Sequence, residues 1–429
     1  MIFLYRIISS FLYPLLVVLI FLRKYLDKEH IKRYKEKIFI SSFNVDRKLN
    51  TELIWFHAAS VGELKSILPI ISQLEKDKNN FEYLITTTTL SSSKIAENQI
   101  KNFKNIHHRF FPLDVSFLIK AFLMKWQPKI LFLVDSEIWP NLILLCKRKK
   151  IPIALINARI TAKSFNRWMF FPKTAKYIFN SFRLCLTSNQ ETKNFLNKLN
   201  VENVHYCGNI KLIDNINIKK ITGLNEKLLK NSKFWLAVST HNGEENFCLD
   251  THIYLKKKIS NVITVIAPRH IDRVEKIKKL CIKLNLNTQV LNKDDDILPD
   301  KEIILINSFN SLLEFYKYSK SVFIGKSLLK RFKNKGGQNP IEAAKLGCKI
   351  YHGPFVYNFE EIYEILKKNN ISQEIINPEN FSKNLFNDLN NFEKNIEKSS
   401  SLLNDLGNQT LEMTIKNINR LLEDESIKA

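Results

Sequence analysis

Hydrophobic and polar positions along this chain follow two rhythms. Mainly apolar runs of four or five residues lie at 53–57, 83–87, 130–134, 153–157 and 184–187. Between them apolar residues recur three and four apart, as at Leu64, Ile67, Leu68, Ile71 and Leu74. The first rhythm predicts short buried strands. The second predicts amphipathic helices near 64–76, 91–101, 115–126, 138–149, 164–180 and 189–199. Strands separated by such helices imply βαβ units and a parallel sheet. At 208–233 the rhythm lapses into a polar stretch rich in Lys and Asn, the composition of an interdomain linker. It resumes with strands at 234–239, 262–266, 303–306, 321–324 and 349–351, and with helices near 243–258, 271–285, 310–319, 340–346 and 357–368. A tail at about 396–426 predicts one or two amphipathic helices. The expected architecture is α/β: two doubly wound, Rossmann-like domains, 26–207 and 234–395, facing a cleft, followed by C-terminal helices at 396–429.

Ahead of these domains, residues 2–22 are almost continuously apolar, broken only by Arg6, Ser9, Ser10 and Pro14. Arg23 and Lys24 close the run, and nine Lys or Arg stand against four Asp or Glu between 23 and 50. No small-residue cleavage site follows, so a removed signal peptide is not indicated. Twenty-odd apolar residues are enough to span a bilayer. The segment 1–25 therefore reads as a membrane anchor, and the flanking cations place the rest of the chain on the cytoplasmic side. A buried or interfacial helix is the alternative, because Pro14 and Arg6 weaken a span.

The net charge of +24 suits a polyanionic partner: nucleic acid, an anionic membrane or acidic small molecules. No recognised nucleic-acid module appears, and neither half carries a GxGxxG fingerprint or a P-loop, so a standard dinucleotide or NTP site is not indicated. The six cysteines have neither zinc-ligand spacing nor a histidine at the matching distance. They read as small buried hydrophobes, and neither a metal nor a cofactor is expected.

Candidate chemistry gathers where strands end and helices begin, the edge at which open α/β sheets bind ligands. His57-Ala58-Ala59-Ser60-Val61-Gly62-Glu63 follows the first strand. Ser60 and Glu63 have capping-box spacing, and Glu63 is equally placed to act on a ligand. Asp135-Ser136-Glu137 ends another strand with two carboxylates, and Asn157-Ala158-Arg159 the next with a cation. In the second half, Ser239-Thr240-His241-Asn242-Gly243-Glu244-Glu245 opens a helix. Asn242 and Glu245 there have capping-box spacing, while free backbone N–H groups with His241 as a further donor would suit a phosphate. Arg269 ends a strand where it could grip an anion in bidentate fashion. Gly336-Gly337-Gln338-Asn339-Pro340-Ile341-Glu342 combines glycines that permit close backbone approach with Asn339 at N-cap, Pro340 at N1 and Glu342 at N3.

These stretches resemble the Kdo transferase family, the 3-deoxy-D-manno-octulosonic acid transferases of lipopolysaccharide inner-core synthesis. The resemblance is carried by HAASVGE at 57–63, DSEIWPN at 135–141, INARIT at 156–161, GNIK at 208–211, STHNGEE at 239–245, APRH at 267–270, GGQNPIEAA at 336–344 and GPFVYNFEE at 353–361. It implies a GT-B type fold, inversion at the anomeric centre, CMP-Kdo as donor, and a lipid A precursor (lipid IVA) as acceptor at the bacterial inner membrane. Glu63 would be the general base and Glu137 a second charged residue of the catalytic site. Lys211, Ser239, Thr240, His241, Arg269, Gly337, Asn339 and Glu342 would serve the donor. The chain departs from the family at Lys326, where a glycine is usual, and at Asp135, Gln338 and Ala343. The alternatives are a related GT-B transferase using another activated acidic sugar or glycolipid acceptor, and a basic membrane-tethered scaffold or nucleic-acid binder without enzymatic activity.

Overall fold

A computed structural model describes residues 2–47, 51–76, 81–103, 105–214, 216, 225–308 and 312–427. Much of the expected linker, 215 and 217–224, and the start of the helix expected at 310–319 lie outside the described residues. The chain forms two compact units, Met1–Asp214 with Leu406–Ala429, and Asn215–Asp405.

In the first unit the strands are β1 (Glu52–His57), β2 (Phe81–Thr87), β3 (Ile106–Phe110), β4 (Ile130–Val134), β5 (Ile153–Ala158), β6 (Leu184–Thr187) and β7 (Val204–Tyr206). They form one parallel sheet in the order β3-β2-β1-β4-β5-β6-β7. Successive residues of β1 serve opposite faces. Leu53 and Trp55 join a core with Phe122 and Trp126, and Ile54 and Phe56 join a second core with Ile67 and Ile71. Covering both faces is why these strands are apolar throughout rather than alternating. Ile415, Ile418 and Leu422 of the long helix Ile396–Ile427 complete the second core, so the tail is one helix whose C-terminal part belongs to the first unit.

The second unit holds β8 (Phe234–Thr240), β9 (Ile263–Pro268), β10 (Thr288–Leu291), β11 (Ile303–Ile306), β12 (Ser321–Ile324), β13 (Lys349–His352) and β14 (Ser372–Glu374). Its parallel sheet runs β10-β11-β9-β8-β12-β13-β14. In each sheet the chain starts at the centre, winds one way, and then returns to wind the other. The switch lies between β1 and β4 in the first unit and between β8 and β12 in the second. Loops diverge there, which leaves room for a ligand at the carboxyl ends of the strands.

The expected single anchor helix is not found. Among the described residues no single helix is long and apolar enough to cross a membrane. The segment is instead two helices, Ile2–Phe11 and Tyr13–Tyr25, bent by 54°. Pro14 explains the break, since it has no N–H to bond back and its ring crowds the preceding turn. Polar side chains tie the first helix to the domain. Tyr5 donates to Asp114 (3.0 Å), Arg6 to Ser116 (3.0 Å), and Ser9 accepts from Asn141 (3.0 Å). Tyr13, just past the break, donates to the carbonyl of Ile38 (2.6 Å).

Candidate functional site

At the first switch point, Glu63 lies in the opening turn of the helix Val61–Lys76. Its Oε2 accepts from the Ala59 N–H (2.8 Å), its Oε1 from the Ser60 hydroxyl (2.7 Å), and its own N–H reaches Ser60 Oγ (3.4 Å). This is a variant of the capping box expected from the spacing, in which the carboxylate takes the N–H of Ala59, one residue before the cap, rather than that of Ser60. It also aims a buried carboxylate at a cluster of charges. Burial, the Asp135 carboxylate and then Glu137 raise the Glu63 pKa, while the Ser60 hydrogen bond and Lys211 oppose the rise. A carboxyl shifted in that direction is the more basic, which suits proton abstraction.

Two strand ends supply the neighbours. Asp135 leaves β4 with φ of +62° and Asn157 ends β5 at +55°, both in the left-handed region that Asp and Asn tolerate best. Asn157 donates to Asp135 Oδ1 (3.1 Å) and accepts from the Ile210 N–H (3.0 Å), which brings the 208–211 turn alongside. Lys211 then pairs with Asp135 Oδ2 at 2.7 Å. Lys211 thus stands among the carboxylates of the first unit. Glu137 Oε2 accepts from Trp139 Nε1 (2.8 Å) and lies 3.5 Å from His57 Nε2. His57 is fully buried, stacked on Phe111 at 4.1 Å, and its Nδ1 meets Thr86 Oγ1 at 2.9 Å. Thr86 Oγ1 also receives the Trp55 indole N–H (2.9 Å). His57 was legible only as part of a motif, because the Thr86 contact crosses from β1 to β2.

At the second switch point, Ser239 takes φ of +55° at the end of β8, and His241 Nδ1 donates to the Ser239 carbonyl (3.0 Å). Burial lowers the His241 pKa to about 4, opposed by that bond and assisted by the charges of Lys326, His270 and Arg269. The ring is therefore neutral near pH 7, with its proton on Nδ1. Thr240 is fully buried. Arg269 is exposed at the end of β9, its backbone N–H on the Thr240 carbonyl (3.1 Å). Gly337 takes φ of +86°, Asn339 caps the Ile341 N–H (3.0 Å), and Glu342 is half-buried.

The expected Asn242–Glu245 capping box is not formed, and two N–H groups of this turn are taken, that of His241 by the Glu244 carboxylate and that of Glu244 by the His241 carbonyl. Gly243, at φ of +94°, precedes the helix Glu244–Lys256, and the His241 N–H donates to Glu244 instead (2.9 Å). Glu245 pairs with Arg273 at 2.9 Å. Glu244 is not prominent in the sequence, because three of its four partners lie some eighty residues away. Among the described residues no group of three or more His, Cys, Asp or Glu is arranged to hold a metal ion.

Two doubly wound parallel sheets, each with charged turns at its switch point, define a GT-B-like fold. Solved structures agree at the level of fold. A UDP-N-acetylglucosamine 2-epimerase from Listeria monocytogenes superposes with a TM-score of 0.61 over 87% of this chain and 97% of its own, at 13% identity. A glycosyltransferase from Rickettsia africae superposes with a TM-score of 0.57 over 89% and 100%, at 11% identity. Residues 29–213 match the family model of 3-deoxy-D-manno-octulosonic-acid transferase (kdotransferase). The 3-deoxy-D-manno-octulosonic acid transferase of Rickettsia bellii is 30% identical over 354 residues, 82% of each chain. That of Haemophilus influenzae is 30% identical over 320 residues, 73% of each. The chain belongs to the Kdo transferase family, and it is a glycosyltransferase of lipopolysaccharide synthesis.

Proposed function

We propose that the enzyme transfers Kdo from CMP-Kdo to a lipid A precursor, lipid IVA, with inversion at the anomeric carbon and Glu63 as general base. Glu63 takes the proton of the acceptor's primary hydroxyl as that oxygen bonds to the anomeric carbon. The bond from that carbon to the phosphate oxygen breaks with its electron pair leaving on CMP. The observation that carries this reading is the buried Glu63 carboxylate, held by Ala59 and Ser60 with its pKa raised at a switch point. The donor is assigned to the turns of the second unit, where Arg269 is the exposed cation suited to the phosphate or the sugar carboxylate. Incubation of the purified protein with preformed CMP-Kdo and lipid IVA, followed by mass spectrometry, tests the assignment. Addition of one or more Kdo masses is expected. Hydrolysis of donor with no transfer would exclude this acceptor.

The setting we propose is the cytoplasmic face of a bacterial inner membrane, with the bent N-terminal pair lying in the interface rather than spanning. Phe3, Phe11, Leu15 and Tyr25 are 75%, 83%, 63% and 83% exposed, too much apolar surface to leave in water at a chain end already bonded to its domain. Phe117 and Met124 of the helix Ser116–Trp126 are exposed as well. Arg23, Lys24 and the following basic stretch supply attraction to anionic headgroups, about 1 kcal/mol for each cation close to the surface.

A further inference from the structure

The turn at 325–328, which follows β12, points three successive backbone N–H groups at one spot. Lys326 N–H lies 2.7 Å from Glu244 Oε2, and Ser327 and Leu328 N–H lie 2.9 and 3.0 Å from Oε1. His241 N–H, from the turn after β8, reaches Oε2 at 2.9 Å. Lys326 itself has φ of +57°, so the turn is the kind of concave nest that binds anions. The left-handed backbone also explains why a glycine would be at ease where this chain carries Lys326. The nest is filled from within. Glu244 is fully buried, and its carboxylate takes four backbone donors from two turns, two on each oxygen.

Other turns hang on the one so fixed. Gly337 N–H donates to the Lys326 carbonyl (2.7 Å), Gly353 N–H to Ser327 Oγ (2.9 Å), and Phe355 N–H to the Ser327 carbonyl (2.8 Å). Gly325 presses so close to β8 that a Cβ there would sit 2.6 Å from the Ser239 carbonyl oxygen. A single carboxylate thereby ties together the turns after β8, β12 and β13 and the glycine turn at 336–337. Ser239, Thr240, His241, Gly337 and Asn339 of the donor-side candidates lie in or beside these turns.

We propose that Glu244 is the positioning residue of the donor site: it occupies the backbone nest at the second switch point and, by clamping the 239–243 and 325–328 turns, sets the loops that receive the nucleotide. It touches neither donor nor acceptor. This rests on reading the second unit as the donor domain. It also implies that the donor's phosphate is held by side chains and by other N–H groups, since these four are already committed.

Glu244→Gln tests the clamp. A carboxamide keeps one acceptor oxygen and turns an NH2 toward the other two N–H groups, whichever way it is placed. In a sealed site water cannot replace the lost acceptor. Two measurements are made well below the melting temperature: calorimetric titration with CMP, and amide hydrogen exchange of peptides covering 239–243 and 325–328. The expected result is at least tenfold weaker CMP binding together with faster exchange confined to these turns. A folded Glu244→Gln protein with CMP affinity within twofold of wild type overturns the proposal, even if its melting temperature falls. If wild type itself fails to bind CMP, the donor reading falls, and exchange alone decides the clamp: faster exchange at the turns supports it and unchanged exchange overturns it. Should Glu244→Gln not fold, Glu244→Asp, which keeps the charge but withdraws it by one methylene, is judged by the same two criteria.

Discussion

A carboxylate can cap a helix and act as a base at once, and Glu63 shows how. The cap uses its lone pairs toward Ala59 and Ser60, while burial and the neighbouring acids raise its affinity for a proton. The two roles separate on substitution. In Glu63→Gln the amide oxygen can still accept from Ala59, and the NH2 can donate to Ser60 Oγ, so melting temperature should stay near wild type. Turnover should fall by roughly 10²-fold or more, the scale of losing a general base. Near-normal turnover of Glu63→Gln would falsify the assignment. The pH profile gives a second check. The base works ionised, so the acid limb of kcat/KM should lie above the ordinary carboxylate range. Lys211 opposes the rise, so Lys211→Met should move that limb to higher pH; a limb that stays or moves down would remove Lys211 from the electrostatics of Glu63. Capping box and strand end were legible for Glu63 because both are local. The Lys211–Asp135 pair and three of the four bonds of Glu244 join residues some eighty positions apart, and no spacing rule reaches that far.

Among elements, the strands that escaped the pattern are β3, β7, β10 and β14, and they are the four sheet edges. Central strands are covered on both faces and must be apolar, so they stand out. Edge strands are partly open to water and read as IHHRF, VHY, TQVL and SQE, with no continuous apolar run. The helix expected over 164–180 is two, Ala162–Met169 and Pro172–Phe179, because Pro172 cannot continue the first and is well placed to begin the second. The helix Pro378–Asn391 went unrecognised, although Asn377 caps it on two N–H groups. One link between elements bears directly on the site. Asp114 accepts from Asn141 and Leu142 N–H, at the start of the helix that follows Glu137, and from Tyr5 of the N-terminal helix. Asp114→Asn leaves buried donors facing an NH2 and should cost about 1–3 kcal/mol. Burial raises the Asp114 pKa from 3.8 to about 6 against the pull of its hydrogen bonds. The folded state thus holds that proton more tightly than the unfolded chain, so this group's contribution to stability falls as pH rises through the window between those values. Urea melts should therefore show a larger gap between wild type and Asp114→Asn near the lower end of that window than at pH 7. A gap that widens on going to pH 7 would contradict the shift.

For the whole molecule, charge and apolar exposure make a joint prediction about the membrane. Full-length protein should float with vesicles containing phosphatidylglycerol, and it should remain with them in high salt, where exposed charges are screened but apolar contact is not. Phe11→Glu with Leu15→Glu alters two exposed side chains and no core contact, so folding should be unaffected while salt-resistant flotation is lost. A doubly substituted protein that floats like wild type would move the membrane contact elsewhere. Deleting 1–26 is a harsher change than it looks from sequence, since it strips Tyr5 from Asp114 and Ser9 from Asn141, and it should lower the melting temperature. The sequence by itself determined the class of fold, the order of its central strands and helices, and the family, because burial on both faces of a parallel sheet and the chemistry at strand ends leave local marks. It also marked an apolar N-terminus. Only the tertiary structure decided that this segment bends at Pro14 and bonds to its domain, that Lys211 belongs with Asp135, and that Glu244 rather than Glu245 secures the second switch point. The bend at Pro14 apart, each of those outcomes depends on partners distant in the chain, and its energy exists only once the strands between them have been laid side by side.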